Sequence, residues 1–408
     1  MTTRLRLAHM ISLRTVGGIE RNFSQFVNAR APGFEIDHHT ILTRRRLARP
    51  IADDVVKGSR SVRWLKHWMG IRIPAFPKQL RDARLRHLMK TAAPDALILW
   101  SNPRILASYR TARLPRIVYY DRGASWFNRD AAEVEKTMKT VSGVLCNSFA
   151  AKRMLETKWG MIDRNRVRVC LNAVRPDCLP SQPQRPRLMS GDLLRIGVAG
   201  RLEPIKGIPL ALHGLKSLAD RGIDSRLLVA GDGSERSRLE ALARRLSVSG
   251  RVQFLGFVDK MTAFFEAIDV FLCPSVREPF GLVCAEAMAH GVPVVGASVD
   301  GIPEVIDHQR TGICLKPRLD IGSYPLYGGR MEGLPDRVYL PEEDRIGPPG
   351  LVSPEDIADA LEWLIRHPAV YQEMSRQALL AAGTRFDYRR HVTTVIEALR
   401  DLLSSNHP

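Results

Sequence analysis

The stretch that decides the fold is DVFLCPSVREPFGLVCAEAMAHGVPVVG, residues 269–296. It opens on a short apolar run, Asp269 to Cys273, of the kind that forms a buried strand. A loop follows, then a helical stretch from Gly281 to His290, then a second apolar run, PVVG. Strand, helix and strand in that order make the crossover of a parallel sheet. The runs LLRIGVAG, RLLVAGD and RVQFLGF precede it and GICL follows it, with helical stretches between them. That alternation, beginning at Leu193, is the mark of a doubly wound α/β domain.

The same alternation occupies the first half, with strands expected near Leu5 to Ile11, Glu35 to Leu42, Ala96 to Trp100, Ile117 to Tyr120, Val144 to Cys146 and Val167 to Leu171. A chain of 408 residues exceeds one core of ordinary size, so two domains of roughly 200 residues are expected. We read the first over residues 1–172, a Pro, Ser and Arg-rich linker over 173–192, and the second over 193–386. Residues 387–408 read as a terminal helix that crosses back to the first domain. Residues 316–350 break the rhythm with six prolines and six glycines and read as a long inserted loop, ending at a helix that Ser353 would cap.

Charge is distributed unevenly. The net charge is +18, yet residues 1–190 hold 36 Lys and Arg against 14 Asp and Glu, so the surplus lies wholly in the first half. A basic half beside a near-neutral one predicts that one domain meets an anionic surface or polymer. The six cysteines form no C-x-x-C pair and read as reduced, packed thiols of a cytosolic protein. No window approaches 18 apolar residues, and MTTRLRLAHMISL carries charges inside its apolar run, so it reads as a first strand rather than a signal peptide.

Four stretches carry chemistry. GRLEPIKG, residues 200–207, follows a strand and sets Arg201 and Lys206 beside a helix start, which suits a diphosphate; solvated charges at a strand end are the plainer reading. EPFGLVCAE, residues 278–286, puts Glu278 on a loop and Glu286 one to two turns into a helix, a span of roughly 12 Å at most. Between them the N–H groups of Phe280, Gly281 and Leu282 point out of a helix start, where phosphate is stabilised. Apolar neighbours on nearly all sides of Glu286 predict a buried carboxylate that needs partners. Gly17 and Gly18, in RTVGGIERNF, would let backbone approach a ligand, or form a plain turn. Asp121 and Arg122 stand at a strand end, where reactive groups of such sheets gather. No D-x-D pair and no His/Cys cluster with metal spacing occurs, so no metal or other cofactor is expected and Arg201 and Lys206 would neutralise a leaving diphosphate.

At these residues the sequence resembles the retaining glycosyltransferases of family 4. The matching motifs are GRLEPIKG, LLVAGDG (227–233), VQFLGFVDK (252–260) and the stretch 269–295, in order, with GVLCNSFAAKRML (143–155) and VCLNAVRP (169–176) matching more loosely. The resemblance implies the GT-B architecture, two Rossmann-like domains facing a cleft. It also implies a UDP, GDP or ADP sugar as donor and a glycan or glycolipid acceptor, including those of lipopolysaccharide core synthesis. Two glutamates with seven residues between them are the family hallmark, which Glu278 and Glu286 occupy. By that similarity Glu278 contacts the transferred sugar, Glu286 the ribose, and Arg201 and Lys206 the diphosphate. Gly17 and Gly18 match a phosphate-facing glycine loop, and backbone near Phe257 and Val258 holds the base. Where many members carry a catalytic His, this chain reads Tyr119-Tyr120-Asp121-Arg122, so Asp121 or Arg122 takes over sugar contacts or catalysis is mainly electrostatic.

In that architecture the first domain usually holds the acceptor. Between Arg44 and Lys90 there are 14 Lys and Arg against three acidic residues. SVRWLKHWMGIRI would set Trp64 and Trp68 on one helix face beside Arg63, Lys66 and Arg72, ready to lie on an anionic bilayer; two core tryptophans are the alternative. The expected location is cytoplasmic, peripheral at the inner face of the cytoplasmic membrane. A sugar-nucleotide epimerase of the same architecture and a basic nucleic-acid-binding protein are the competing functions. No nucleic-acid module is visible, so nucleic acid is not an expected partner.

Overall fold

Runs rich in Val, Ile and Leu build two parallel sheets in the computed structural model, which describes residues 2–106, 109, 114–127, 131–159, 164–180, 182 and 193–404. The chain divides into two units, Met1–Leu171 with Tyr388–Pro408, and Asn172–Asp387. Unit 1 contains β1 (Thr3–Ile11), β2 (Phe34–Leu42), β3 (Ser61–Trp64), a hairpin of β4 (His67–Trp68) and β5 (Ile71–Arg72), β6 (Ala96–Trp100), β7 (Arg116–Asp121), β8 (Gly143–Cys146) and β9 (Val167–Val169). Among the described residues its sheet runs β3-β2-β1-β6-β7-β8-β9, all parallel. The terminal helix Tyr388–Ser404 packs here, burying Val392, Val395, Ile396 and Leu399, and Leu402 accepts a hydrogen bond from Arg116.

Unit 2 contains β10 (Leu194–Ala199), β11 (Ser225–Ala230), β12 (Val252–Gly256), β13 (Val270–Cys273), β14 (Val294–Ala297) and β15 (Gly312–Leu315), ordered β12-β11-β10-β13-β14-β15 and all parallel. The strand order reverses between β10 and β13. Ligands of open α/β sheets bind outside the carboxyl ends of the strands at such a reversal. The loops that leave β10 and β13 there are GRLEPIKG and PSVREPFG.

Three expectations change. The segment 61–72 is β-structure, not an amphipathic helix: β3 pairs with β2, and Met69 and Gly70 take φ of 47° and 80° as the two-residue turn between β4 and β5. Both central residues at positive φ make the hairpin turn that matches strand twist. Residues 316–350 are structured. β16 (Leu319–Asp320) pairs with β19 (Gly350–Leu351) at the base, β17 (Val338–Leu340) pairs with β18 (Arg345–Gly347), and Tyr324, Val338 and Leu351 are buried. Part of the expected linker is packed rather than connecting: Val174 donates to the Phe386 carbonyl at 3.0 Å and Arg175 is buried in unit 2. Residues 181 and 183–192 of that linker lie outside the described residues. Ser353 caps the helix Pro354–Arg366 as its sequence predicts, its hydroxyl accepting from the Asp356 N–H at 2.9 Å.

Candidate active site

The loop after β10 turns out of the sheet at Gly200, forms one 3-10 turn at Pro204–Lys206, and enters the helix Ile208–Asp220 through Gly207. Gly207 is required twice over. Its φ is 66°, and a Cβ would stand 1.9 Å from the Pro274 carbonyl oxygen in the loop after β13. Backbone therefore touches backbone, and the Val276 N–H donates to the Ile205 carbonyl at 2.8 Å. That contact fixes the spacing between the loop holding Lys206 and the loop holding Glu278.

Lys206 Nζ donates to Glu278 Oε2 at 2.6 Å, with the two side chains 23% and 18% exposed. Burial acts to lower the lysine pKa, but the Glu278 charge and hydrogen bond outweigh it, and the ammonium is held above its ordinary value. Gly281, at φ 88°, is the N-cap of the helix Leu282–Ala289, and no side chain caps that end. Glu278 therefore does not cap that helix. Lys206, Glu278, Gly281 and Ser275 line one small cavity. A cation, a carboxylate and an uncapped helix N-terminus thus meet outside β10 and β13, where the strand order reverses.

The other candidates of unit 2 fall around this centre. Glu286 is 5% exposed, as its apolar neighbours predict. Its carboxylate faces Arg175 at 3.5 Å, a partner that sequence reading placed in the linker and missed. Burial opposes the Arg175 charge, but Glu286, Cys178 and Asp177 hold its pKa up. Arg201 is exposed and paired with Glu203 at 3.0 Å. The Phe280 side chain belongs to the core against Phe386, so only its backbone faces outward chemistry. Phe257 is exposed and Val258 half-buried, beyond β12.

In unit 1 the picture differs from expectation. Gly17 is the N-cap of the helix Gly18–Phe26 with φ −142°, extended backbone open to any residue, so the glycines are not there for conformation. A Cβ on Gly18 would meet nothing within 4 Å, so what that glycine supplies is open surface at a helix start. Asp121 is fully buried, and its carboxylate accepts from the N–H groups of Gly123 and Ala124 at 3.0 and 2.8 Å and from the hydroxyls of Tyr119 and Ser125. Through those four donors Asp121 holds the turn after β7. Burial raises its pKa against those hydrogen bonds. Arg122 is buried too, its guanidinium 5.0 and 5.5 Å from the Tyr120 and Trp100 rings and bonded to Asn22 at 3.2 Å. It fastens the end of β7 beneath the helix that starts at Gly18.

Residues 184–324 match the model of the family Glycosyl transferases group 1. That match lies within unit 2. A lipopolysaccharide core biosynthesis glycosyltransferase of Rhizobium meliloti, LpsE, is 29% identical over 298 residues, 70% of this chain and 77% of that protein. An uncharacterised glycosyltransferase of Methanocaldococcus jannaschii is 42% identical over 121 residues, 29% of this chain and 31% of that one, so the chain spans less than a third of that relative. The crystal structure of Anabaena HepE in complex with UDP and glucose superimposes with a TM-score of 0.70 at 17% identity, covering 97% of this chain and all of that one. The fold is that of the GT-B glycosyltransferases.

Proposed function

We propose that this chain is a retaining glycosyltransferase that moves a sugar from a nucleotide sugar to a glycan or glycolipid acceptor, in the synthesis of a cell-envelope polysaccharide such as a lipopolysaccharide core. The observation that carries the reading is the Lys206–Glu278 pair beside the uncapped helix start at Gly281. The group 1 domain, the likeness to LpsE and the fold shared with a UDP-binding neighbour support it.

In this reading Lys206 and Arg201 neutralise the leaving diphosphate, and the N–H groups of Phe280, Gly281 and Leu282 bind its oxygens at the helix terminus. Glu278 accepts from hydroxyls of the transferred sugar and holds Lys206 charged. Glu286, kept in place by Arg175, accepts from the ribose diol, and backbone at Phe257 and Val258 borders the base. In unit 1, the N–H groups at Gly17 and Gly18, at an open helix start, would serve an anionic group. Asp121 and Arg122 act indirectly, by holding the turn after β7. The bond between the anomeric carbon and the diphosphate oxygen breaks, the acceptor oxygen bonds to that carbon from the same face, and the departing diphosphate oxygen takes the hydroxyl proton, so the configuration is retained. The lack of a D-x-D pair leaves charge neutralisation to these cations, without a metal.

The acceptor side is read from unit 1. Its β4–β5 hairpin exposes Trp68 (56%), Met69 (89%) and Ile71 (74%), and Phe76 (82%) follows. Burial and then Arg81, Arg44 and Arg72 lower the Lys66 pKa, so the apolar tip sits in a crowd of cations. Exposed aromatics among cations suit the headgroup region of an anionic bilayer, where a glycolipid acceptor would be met.

The test is a thermal-shift screen of UDP, GDP and ADP sugars, followed by transfer assays with the sugar that stabilises. A ligand at a hundredfold its Kd stabilises by about 2.7 kcal/mol. Lys206→Ala is expected to lower kcat/KM by about 10²–10³. No stabilisation by any of these ligands, undiminished turnover by Lys206→Ala, or an epimerised nucleotide sugar formed without acceptor would each overturn the reading.

A further inference from the structure

Asp300 is fully buried, and its φ of 50° lies in the left-handed region that a non-glycine residue enters at a cost. Its carboxylate offsets that cost. One oxygen accepts from the Glu278 N–H at 3.0 Å and the other from the Tyr339 N–H at 2.8 Å. Backbone repeats both links: the Asp300 N–H donates to the Tyr339 carbonyl at 3.0 Å, and the Gly301 N–H to the Glu278 carbonyl at 3.1 Å. A Cβ on Gly301 would stand 2.3 Å from the Pro279 carbonyl oxygen, so these segments are as close as backbones come. Through this one residue, β17 of the inserted segment is tied to the loop that carries Glu278.

A second tie leads to the other loop. Tyr324, fully buried in the same insert, donates its hydroxyl to the Pro204 carbonyl at 2.7 Å, in the 3-10 turn that ends at Lys206. Arg330 pairs with Glu235 at 3.3 Å, and the Glu235 N–H donates to the Leu202 carbonyl at 3.1 Å in that loop. The insert therefore holds both partners of the Lys206–Glu278 pair from behind, and none of its contacts named here involves those two side chains.

We propose that residues 316–350 are a brace for the donor site, with Asp300 and Tyr324 as positioning residues: Asp300 sets Glu278 and so the choice of sugar, and Tyr324 sets Lys206 and so the grip on the diphosphate. The proposal rests on the donor-site reading above. A carboxylate displaced by about 1 Å loses much of its alignment with sugar hydroxyls while the diphosphate contacts persist. The two ties should therefore separate in their effects.

Three variants of the full chain test this. Asp300→Gly keeps the left-handed backbone without strain and removes the carboxylate, Asp300→Asn keeps one acceptor, and Tyr324→Phe keeps the buried ring. Hydrogen exchange at the Glu278 and Tyr339 amides is measured alongside binding of UDP and UDP-glucose, or of the pair that the screen selects. In Asp300→Gly both amides should exchange about tenfold faster, and affinity for the nucleotide sugar should fall about tenfold with a clearly smaller loss for the nucleoside diphosphate, Asp300→Asn lying between. Tyr324→Phe should weaken both ligands by about threefold to tenfold. Unchanged exchange at Glu278, or equal loss of both ligands in Asp300→Gly, overturns the brace. If the unaltered protein binds neither ligand, the donor-site reading fails and the exchange measurement alone decides the brace.

Discussion

A single buried guanidinium shows how far one residue's role depends on its surroundings. Arg175 stands in a Pro and Arg-rich stretch whose composition reads as linker, yet it is buried against Glu286. Each ion removed from water costs several kcal/mol, which opposite charge and hydrogen bonds offset. Arg175→Leu takes that cation from the Glu286 carboxylate and should lower the unfolding free energy of unit 2 by up to about 3–5 kcal/mol. Arg175→Leu with Glu286→Leu should recover most of the loss, because two apolar groups replace both ions, while on the proposed donor-site reading nucleotide binding would still be weakened. Urea unfolding of the single and double variants checks this; a single variant as stable as the parent would show that the pair carries no such coupling. Glu286 itself was legible, since only apolar residues surround it in sequence. Its partner was not, because nothing local to Arg175 records what folds against it.

At the scale of elements, the segment 61–72 is the clearest divergence between pattern and structure. Trp64 and Trp68 are four apart, as on a helix face, but Met69 and Gly70 close a two-residue turn and β3 adds a strand beside β2. The Gly70 turn was the available signal, and the aromatic spacing obscured it. The consequence is an exposed apolar tip instead of an amphipathic helix. Trp68→Ser with Ile71→Ser should leave the fold intact, because both side chains are exposed, and should reduce flotation with anionic vesicles by about tenfold or more at low salt. Equal recovery of the parent protein with zwitterionic and anionic vesicles would sink the bilayer reading. The insert diverges for another reason: its Pro and Gly content is that of irregular chain, but its short strands pair and Tyr324 and Val338 are buried.

Over the whole molecule, buried histidines make acid the vulnerable side of unit 1. Burial holds His9, His38 and His391 below the ordinary histidine range, His38 and His391 at about 4. The unfolded chain takes up those protons near the ordinary value of about 6.5. The neutral imidazoles therefore contribute fully above that pH, and stability is lost as pH falls from about 6.5 to about 4. A shift of that size corresponds to roughly 3 kcal/mol per group. His9 Nε2 and His38 Nδ1 share a hydrogen bond of 2.8 Å, so their contributions are not additive. Five of the six tryptophans belong to unit 1, so urea midpoints by tryptophan fluorescence should fall on going from about pH 7 to about pH 5. A constant midpoint would mean that these imidazoles are already accessible to solvent in the folded state.

The sequence alone determined the strand and helix alternation and which loops follow the strands now labelled β10 and β13, because each of these follows from local hydrophobic period and turn chemistry; that the strand order reverses between those two strands came from the sheet pairing. It also nominated Lys206, Glu278 and a buried Glu286 as candidates for one donor site. Only the tertiary structure decided that Arg175 partners Glu286, that Asp121 and Arg122 are spent on their own turn and helix, and that Asp300 and Tyr324 tie the insert to both loops. Those are contacts between residues distant along the chain, and their energy comes from desolvation and hydrogen-bond geometry that no local pattern encodes.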